Sequence, residues 1–341
     1  MDICARNRAS ELRQRALLGL SAVLLFLPIQ CAGQTPAPWT PKRTPDGQPD
    51  LQGFWSNSSI TPMERPAALA GKEFYTEQEL AENAKRAQIP QSVTVLGGTL
   101  AHYDFVQFGL DLTQAKRAVT RRTSLIVDPP DGKIPPLTPE ARKRAADRAA
   151  ARKKSGAYDG PENRGLQERC ILTGAEGPPM LPEAYNSNLQ IIQAPGYVAI
   201  LQEEIHDVRI IPLSGPLGGH PHVGPAIRQL RGDSRGRWEG QTLIVDTTNF
   251  TDRSNFRGSG EALHLVERFT RLDEDTILYQ FTVDDPTTWA RPWTAEIPWT
   301  KIDGPLYEFA CHEGNYGLAN SLSAARAQEK AAEEAAKRNA K

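Results

Sequence analysis

Several features that would point to common protein classes are scarce in this chain. Its 341 residues include only four cysteines and three methionines, and the formal net charge is −1. A charge this small gives no global field that would attract nucleic acid or an anionic membrane. The longest apolar run is too short to cross a bilayer core of about 30 Å as a helix. We therefore expect no nucleic-acid partner and no stable membrane span.

That apolar run lies near the N-terminus, from Leu17 to Ile29, between an arginine-rich start and the small residues at 31–33. This order is typical of a cleavable secretory signal. It predicts a signal peptide over residues 1–33 and a periplasmic or secreted mature protein. A membrane anchor is disfavoured by the length of the run. A lipidated Cys31 is disfavoured because no small residue stands just before it.

The mature chain would keep two cysteines, Cys170 and Cys311. In an oxidising compartment, two distant cysteines most simply form one disulfide. A nucleophilic thiol and a metal ligand remain alternatives, since His312 follows Cys311 directly.

The mature chain divides into four segments with different residue patterns. Repeated prolines over residues 34–66 disfavour helix and predict an extended arm. Residues 67–165 mix helical and loop patterns, residues 166–318 are rich in short strand patterns, and residues 319–341 predict a charged helix. Because adjacent short strands with short loops favour antiparallel pairing, we predict a mainly β fold, an antiparallel barrel or sandwich with peripheral helices.

Turn and cap residues set the predicted boundaries. Thr76 and Glu79 have capping-box spacing, and Thr138 with Pro139 begins a second helix. The glycines around Trp238 predict a tight turn that leads into a strand over 242–248. The final predicted strand is LYEFACH, over 306–312, with Cys311 on a buried face.

Several phrases of the chain resemble those of a widespread family of secreted bacterial proteins of unassigned function. They include TPDGQPDLQGFW, SLIVDPPDGKIPPLTPEAR, GDSRGRWEGQTLIVDTTNF and LHLVERFTR, and the likeness extends over nearly the whole mature chain. The resemblance implies secretion and assigns no catalytic residue. The pattern W-E-G-x-T-L before a hairpin is also similar to lipocalin-like (calycin) β-barrels, which implies a barrel fold.

The period of two along a strand separates the candidate residues by face. In LHLVERF, Glu267 shares the apolar and therefore inward face, whereas His264 and Arg268 point outward. A carboxylate inside a barrel is unfavourable unless it is paired. Glu267 is expected either to form a salt bridge, with Arg209, Arg235 or Arg237, or to contact a ligand or act as a general base.

The segment IHDVRIIPL predicts another strand, in which Asp207 and Arg209 share one face and His206 lies on the other. His206 and Asp207 would each need a partner from a different strand.

Two histidines, His220 and His222, alternate in a glycine-rich loop. Imidazole suits zinc and copper, so these residues, with His206, His264 or His312, predict a metal site, with a solvated loop as the alternative. No other cofactor is predicted. The segment GDSRG is expected to be a turn stabilised by Asp233 and Ser234. It is not expected to hold a serine nucleophile, because the strand, turn and helix that surround a G-x-S-x-G motif are not predicted here.

The main functional prediction is a module that binds a small, partly apolar ligand in a barrel cavity. Its candidate ligand-binding residues are Arg209, Trp238, Arg268, Tyr279, Trp293 and Trp299. The alternative is a periplasmic hydrolase, lyase or isomerase that uses the same cavity. Its candidate catalytic residues are His206, Asp207, His264 and Glu267. A third reading is an envelope scaffold.

Overall fold

Alternating apolar and polar residues form the long strands of the C-terminal half. A computed structural model describes residues 39–87, 117–173, 177–182, 186–214, 221–253 and 256–340. The strands β8 (His264–Arg271), β9 (Thr276–Asp284) and β10 (Trp293–Lys301) each bury alternate residues. The alternation follows the pleat, which turns one side chain in two toward the core.

The strands form one antiparallel sheet that almost closes on itself. The remaining strands are β1 (Gly53–Ser56), β2 (Ile126–Asp128), β3 (Asn188–Ala194), β4 (Tyr197–Gln202), β5 (Val208–Pro212), β6 (Asp233–Glu239) and β7 (Thr242–Thr248). Their order is β5-β4-β3-β1-β10-β9-β8-β7-β6, with β2 paired to β10 off this path. The ends meet at a parallel bridge between Leu213 and Gly236. The predicted antiparallel barrel is therefore confirmed.

The described part of the predicted N-terminal arm contributes one strand to the sheet. β1 lies between β3 and β10, where Trp55 faces Leu189 on one side and Lys301 on the other. Leu51 and Trp55 are fully buried, so they anchor the arm in the core. Residues from Trp39 onward group as one compact unit. The predicted signal peptide lies outside the described residues.

Three α-helices lie outside the sheet in the described part: α1 (Glu77–Ala87), α2 (Pro139–Lys154) and α3 (Tyr316–Asn339). The capping box is confirmed, since the Thr76 amide donates to Glu79 Oε2 over 2.8 Å and the Glu79 amide to Thr76 Oγ1 over 3.3 Å. Thr138 caps α2 as expected. Across the described ranges, every helix is too short or too polar to cross a membrane.

The predicted last strand, over 306–312, is wrong. This segment has no strand pairing, and Tyr307 is exposed, so Tyr307 and Cys311 do not form a buried row. The physical reason is that β10 already pairs with β9 on one edge and with β1 and β2 on the other. The segment is held instead by the Cys170–Cys311 disulfide, with a Cα–Cα distance of 5.7 Å, which confirms the predicted bridge.

The predicted turn around GDSRG is also wrong, because Asp233 and Ser234 begin strand β6. The turn lies further on, at Gly240, whose φ of 61° favours glycine. Gly236 serves the barrel closure instead. A Cβ there would lie 2.6 Å from the Leu213 side chain and 3.0 Å from that of Ile211, so glycine leaves room for both side chains at this closure.

The predicted strand over IHDVRIIPL begins later than expected. Residues Glu204–His206 form a turn of 3₁₀ helix in which Ile205 and His206 have positive φ angles of 60° and 56°. β5 starts at Val208, and from there the predicted alternation holds, with Arg209 and Ile211 buried. His206 and Asp207 therefore do not lie on opposite faces of one strand.

Candidate functional site

Two polar clusters lie on opposite faces of β7 and β8. The alternation along β8 is confirmed, since Glu267 is fully buried while His264 is only partly buried. We call the buried group the inner cluster: Arg209, Ser234, Thr247, Glu267 and Tyr279. We call the surface group the outer cluster: His222, Asp233, Arg235, Asp246 and His264.

The inner cluster is built around the ion pair of Arg209 and Glu267. Arg209 Nη1 donates to Glu267 Oε1 over 2.9 Å, and Nη2 donates to Oε2. The hydroxyl of Tyr279 donates to Glu267 Oε1 over 2.8 Å. Arg209 Nε donates to Ser234 Oγ over 3.0 Å and Nη2 to Thr247 Oγ1 over 2.9 Å. Of the arginines considered as partners of Glu267, the structure selects Arg209.

Burial and charge shift the pKa values of two members of this cluster, Arg209 and Tyr279. Burial lowers the pKa of Arg209, but the neighbouring Glu267 carboxylate outweighs it and the net pKa is raised. Burial, and then the charge of Glu267, hold the pKa of Tyr279 well above its usual range. Tyr279 therefore stays a phenol, which also accepts the Met180 amide over 3.0 Å. The cluster is a satisfied network, as a buried ion pair requires.

Aromatic side chains pack inside the barrel beside the inner cluster. The Trp299 ring lies 4.9 Å from Tyr279, and Trp293 lies 5.7 Å from Phe281, measured between ring centroids. Both tryptophans are fully buried, and Trp238 packs partly buried against the same core. The indole N–H groups of all three have no acceptor within the described part of the chain.

The outer cluster is centred on Asp246. Its Oδ2 lies 2.7 Å from His264 Nε2, and its Oδ1 lies 2.8 Å from His222 Nε2. The other ring nitrogen of His222 lies 2.8 Å from Asp233 Oδ2. Because both nitrogens of His222 face carboxylates, the imidazolium form donates two hydrogen bonds at once.

Arg235 and a backbone amide complete this arrangement. Arg235 pairs with Asp233 Oδ1 over 2.8 Å, and the Val223 amide donates to Asp233 Oδ2 over 3.1 Å. Both carboxylate oxygens of Asp233 thus have partners, and Asp233 keeps His222 in contact with Asp246. The chain of contacts ends at His264, whose side chain is 42 % exposed.

The electrostatics of the outer cluster favour an ion pair that solvent can reach. The hydrogen bond to Asp246 is the main cause that raises the pKa of His264 above its ordinary 6.5. The same bond, joined by that of His222, lowers the pKa of Asp246. An oriented, partly exposed imidazole beside a carboxylate is equipped to give or take a proton.

The other predicted site residues lie apart from both clusters. Asp207 pairs with Arg231 over 3.1 Å, and His206 is exposed. Arg268 lies on the outer face, 3.8 Å from Glu239. His220 lies outside the described residues. Among the residues that are described, no three His, Cys, Asp or Glu side chains are grouped to hold a metal ion.

Sequence reasoning missed Asp233 and Asp246. The signal for Asp246 lies in strand pairing, because Asp246 faces Val266 in the antiparallel β7–β8 pair. A residue two positions from a directly paired one is its diagonal neighbour on the same face, which brings His264 within reach. Asp233 was missed because its segment was read as a turn.

Comparison with protein-family models, curated proteins and solved structures finds no match to this chain, so its function has to be argued from these two clusters.

Proposed function

We propose that this chain is an exported β-barrel enzyme that transfers protons to and from a small substrate at the outer cluster. Hydrolysis, elimination and isomerisation are the reaction classes that such chemistry serves. The observation that carries the proposal is the Asp246–His264 contact of 2.7 Å at a half-exposed imidazole. A catalytic acid or base needs both orientation and access, and this pair has both.

Each residue of the cluster has a stated part in this proposal. His264 is the catalytic acid, because its raised pKa keeps the proton on the ring closer to neutral pH. Asp246 is a positioning residue that orients the ring and stabilises its charged form. His222 and Asp233 hold Asp246 through a second pair of hydrogen bonds. This resembles the use of a carboxylate to orient a catalytic histidine in other enzymes.

Export is supported by two observations of different kinds. The Cys170–Cys311 disulfide is favoured in an oxidising compartment. The N-terminal sequence has the order of a secretory signal, and the chain resembles a family of secreted bacterial proteins. The proposed location is the periplasm or the medium.

The test is a screen of ester, lactone and epimerisable substrates against the wild type and three variants. We expect His264→Gln to reduce the rate by about 10²- to 10⁴-fold, the usual contribution of a general acid or base. In Asp246→Asn, the limb of the pH–rate profile on which the rate falls as pH rises should lie at lower pH than in the wild type. The reason is that the substitution removes the main cause of the raised His264 pKa.

The matched control is His206→Asn, which changes an exposed histidine outside the cluster and keeps a residue that tolerates its positive φ. Its rate should equal that of the wild type. A reaction that His264→Gln leaves unchanged would rule out the proposed role.

The second candidate is the binding of a small, partly apolar ligand inside the barrel. It is favoured by the buried indole N–H groups of Trp293 and Trp299, which have no acceptor among the described residues. A ligand with a carbonyl or ether oxygen would supply one. Native mass spectrometry of the protein from its own periplasm checks this, with Trp299→Phe as the variant. A retained organic mass that Trp299→Phe loses supports it, and a mass equal to the bare chain argues against it.

A further inference from the structure

The outward side of strands β3, β4 and β5 carries no charged side chain. The one charged residue of these three strands, Arg209, points inward to Glu267. Strand pairing arranges the outward positions in three rows of three, which we call the β3–β5 face. The rows are Gln190–Leu201–Val208, Ile192–Ala199–Ile210 and Ala194–Tyr197–Pro212.

The outward side of the other long strands is different. Each of β6 to β10 turns at least one charged side chain outward, and these include Arg237, Asp246, Arg268, Asp284 and Glu296. A sheet with one solvated side normally alternates apolar residues inside with polar residues outside. Strands β3, β4 and β5 are instead mainly apolar on both sides of the pleat, as strands with a second covering layer are.

The β3–β5 face is nevertheless open to solvent. Ile192, Val208 and Ile210 are 44 %, 43 % and 54 % exposed. Strands lie about 4.8 Å apart and residues on one side of a strand about 7 Å apart, so the three rows cover roughly 300 Å². An apolar patch of this size is as large as the largest on a typical monomer and commonly marks an interaction site.

The absence of charge decides which partner fits. A charged residue buried against this face would lose its water without gaining a counter-charge. A partner therefore has to bring an uncharged face of its own, and a second copy of this chain brings one of equal size.

An anionic membrane surface matches the face less well, because it attracts apolar patches that are bordered by free Lys or Arg. The nearby arginines already have carboxylate partners. Arg231 pairs with Asp207 over 3.1 Å at the start of β5, and Arg237 pairs with Glu239 over 2.7 Å on the neighbouring β6.

We propose that the β3–β5 face is the contact between two copies of this chain, packed sheet against sheet about a two-fold axis. In such a dimer both copies use the same patch. The two sheets would stack about 10 Å apart, with Ile192, Val208 and Ile210 of each copy between them. The outer cluster lies on β7 and β8, outside this face, so dimerisation leaves His264 open to solvent.

The area of the face sets the strength of the dimer. A standard interface removes about 800 Å² per partner from water, and about two-thirds of it is apolar in homodimers. The roughly 300 Å² of the β3–β5 face supplies the apolar centre of a smaller contact. We therefore expect a reversible dimer with a Kd on the order of 10 µM.

Sedimentation velocity of the full-length mature protein, from about 1 to 200 µM, tests the proposal. Ile210→Glu should weaken the dimer at least about tenfold, because each copy would bury a carboxylate without a partner. Ile192→Lys, on the other side of Ala199, should act in the same way. The matched control is Leu272→Glu, which adds a charge in the turn between β8 and β9, where Leu272 is 49 % exposed. It should dimerise as the wild type does.

Hydroxyl-radical footprinting of the unchanged protein covers a variant that fails to fold. Labelling of Ile192 and Ile210 should fall as the protein is concentrated, while labelling of Leu272 stays constant. A monomer at about 200 µM, where a dimer of this strength would prevail, would overturn the proposal. Unchanged labelling of Ile192 and Ile210, a dimer that Ile210→Glu and Ile192→Lys both keep, or one that Leu272→Glu also loses, would do the same. So would a monomer that binds phosphatidylglycerol vesicles and releases them on Ile210→Glu, since the face would then be a membrane contact.

Discussion

The inner and outer clusters share strands β7 and β8, yet solvent reaches only one of them. Inside, the Arg209–Glu267 pair is almost fully buried, and every charged atom meets a partner within the barrel. Outside, Asp246 and His264 are 29 % and 42 % exposed. Charged residues on the same strands thus have different roles, because the pleat of the sheet decides which side chains meet water.

The difference also separates stability from chemistry. Removing one partner of a desolvated pair leaves the other charge buried alone, which costs much free energy. A half-exposed pair exchanges protons with solvent near neutral pH. We therefore assign structural work to the inner cluster and proton transfer to the outer one, and three substitutions test that division.

The largest effect should come from Glu267→Gln, which keeps the volume but leaves the Arg209 charge buried without its partner. We expect a loss of about 3–5 kcal/mol in the free energy of unfolding, measured by urea denaturation. The double variant Arg209→Met with Glu267→Leu should recover most of that loss, because apolar replacement removes both charges together.

The exposed pair Arg291–Asp128 is the control for that comparison, with both side chains about half exposed. Asp128→Asn should change the free energy of unfolding by less than about 1 kcal/mol. If Glu267→Gln cost no more than Asp128→Asn, the inner cluster would not be the structural element described above.

A smaller effect is expected from Tyr279→Phe. It removes one hydrogen bond to Glu267 and leaves the Met180 amide without its acceptor. A buried group left unpaired costs about 1–3 kcal/mol. Thermal unfolding should show this loss, and the rate of any reaction at the outer cluster should stay unchanged. A change in rate without a change in stability would place Tyr279 in the functional site instead.

The smallest effect should come from Asp246→Asn, below about 1 kcal/mol because water screens the pair. The size of the effect depends on pH. The raised pKa of His264 gives stability that is present below pH 6.5 and is lost as pH rises through the folded value. The lowered pKa of Asp246 gives stability that is present above pH 3.8 and is lost as pH falls through the folded value.

The wild type should therefore exceed Asp246→Asn in stability most clearly between about pH 4 and 6.5, and the gap should shrink above that range. Unfolding curves at several pH values check this. A gap that stayed constant from pH 4 to 9 would show that the pair is not ionised as described.

The sequence was sufficient for the features that depend on local periodicity. Alternation in β8 placed Glu267 inside and His264 outside, and the capping residues located α1 and α2. The choice of Arg209 among three arginines needed the closed barrel, because β5 and β8 are far apart in sequence. Arg235 and Arg237 could not be assigned to a face while their segment was read as a turn.

The two wrong predictions have a common cause. A local sequence pattern does not show which strands of the sheet are free to pair with the segment. The segment 306–312 has strand composition but meets a sheet whose edges are already paired. GDSRG has turn composition, but from Asp233 onward it pairs with β7, and Gly236 forms the bridge to Leu213. In both cases the closure of the barrel overrides the local preference.

The bridge between Leu213 and Gly236 gives the barrel a seam. Nine strands that alternate in direction cannot close without one parallel neighbour pair, and that pair is β5 with β6. The adjoining hydrogen bond is the one from the Ser214 amide to the Gly236 carbonyl, 2.8 Å long. Every other junction around the ring is an antiparallel ladder. The β5–β6 pair is therefore the weakest junction of the barrel wall. Separating β5 from β6 would open the barrel while the antiparallel ladders stay intact.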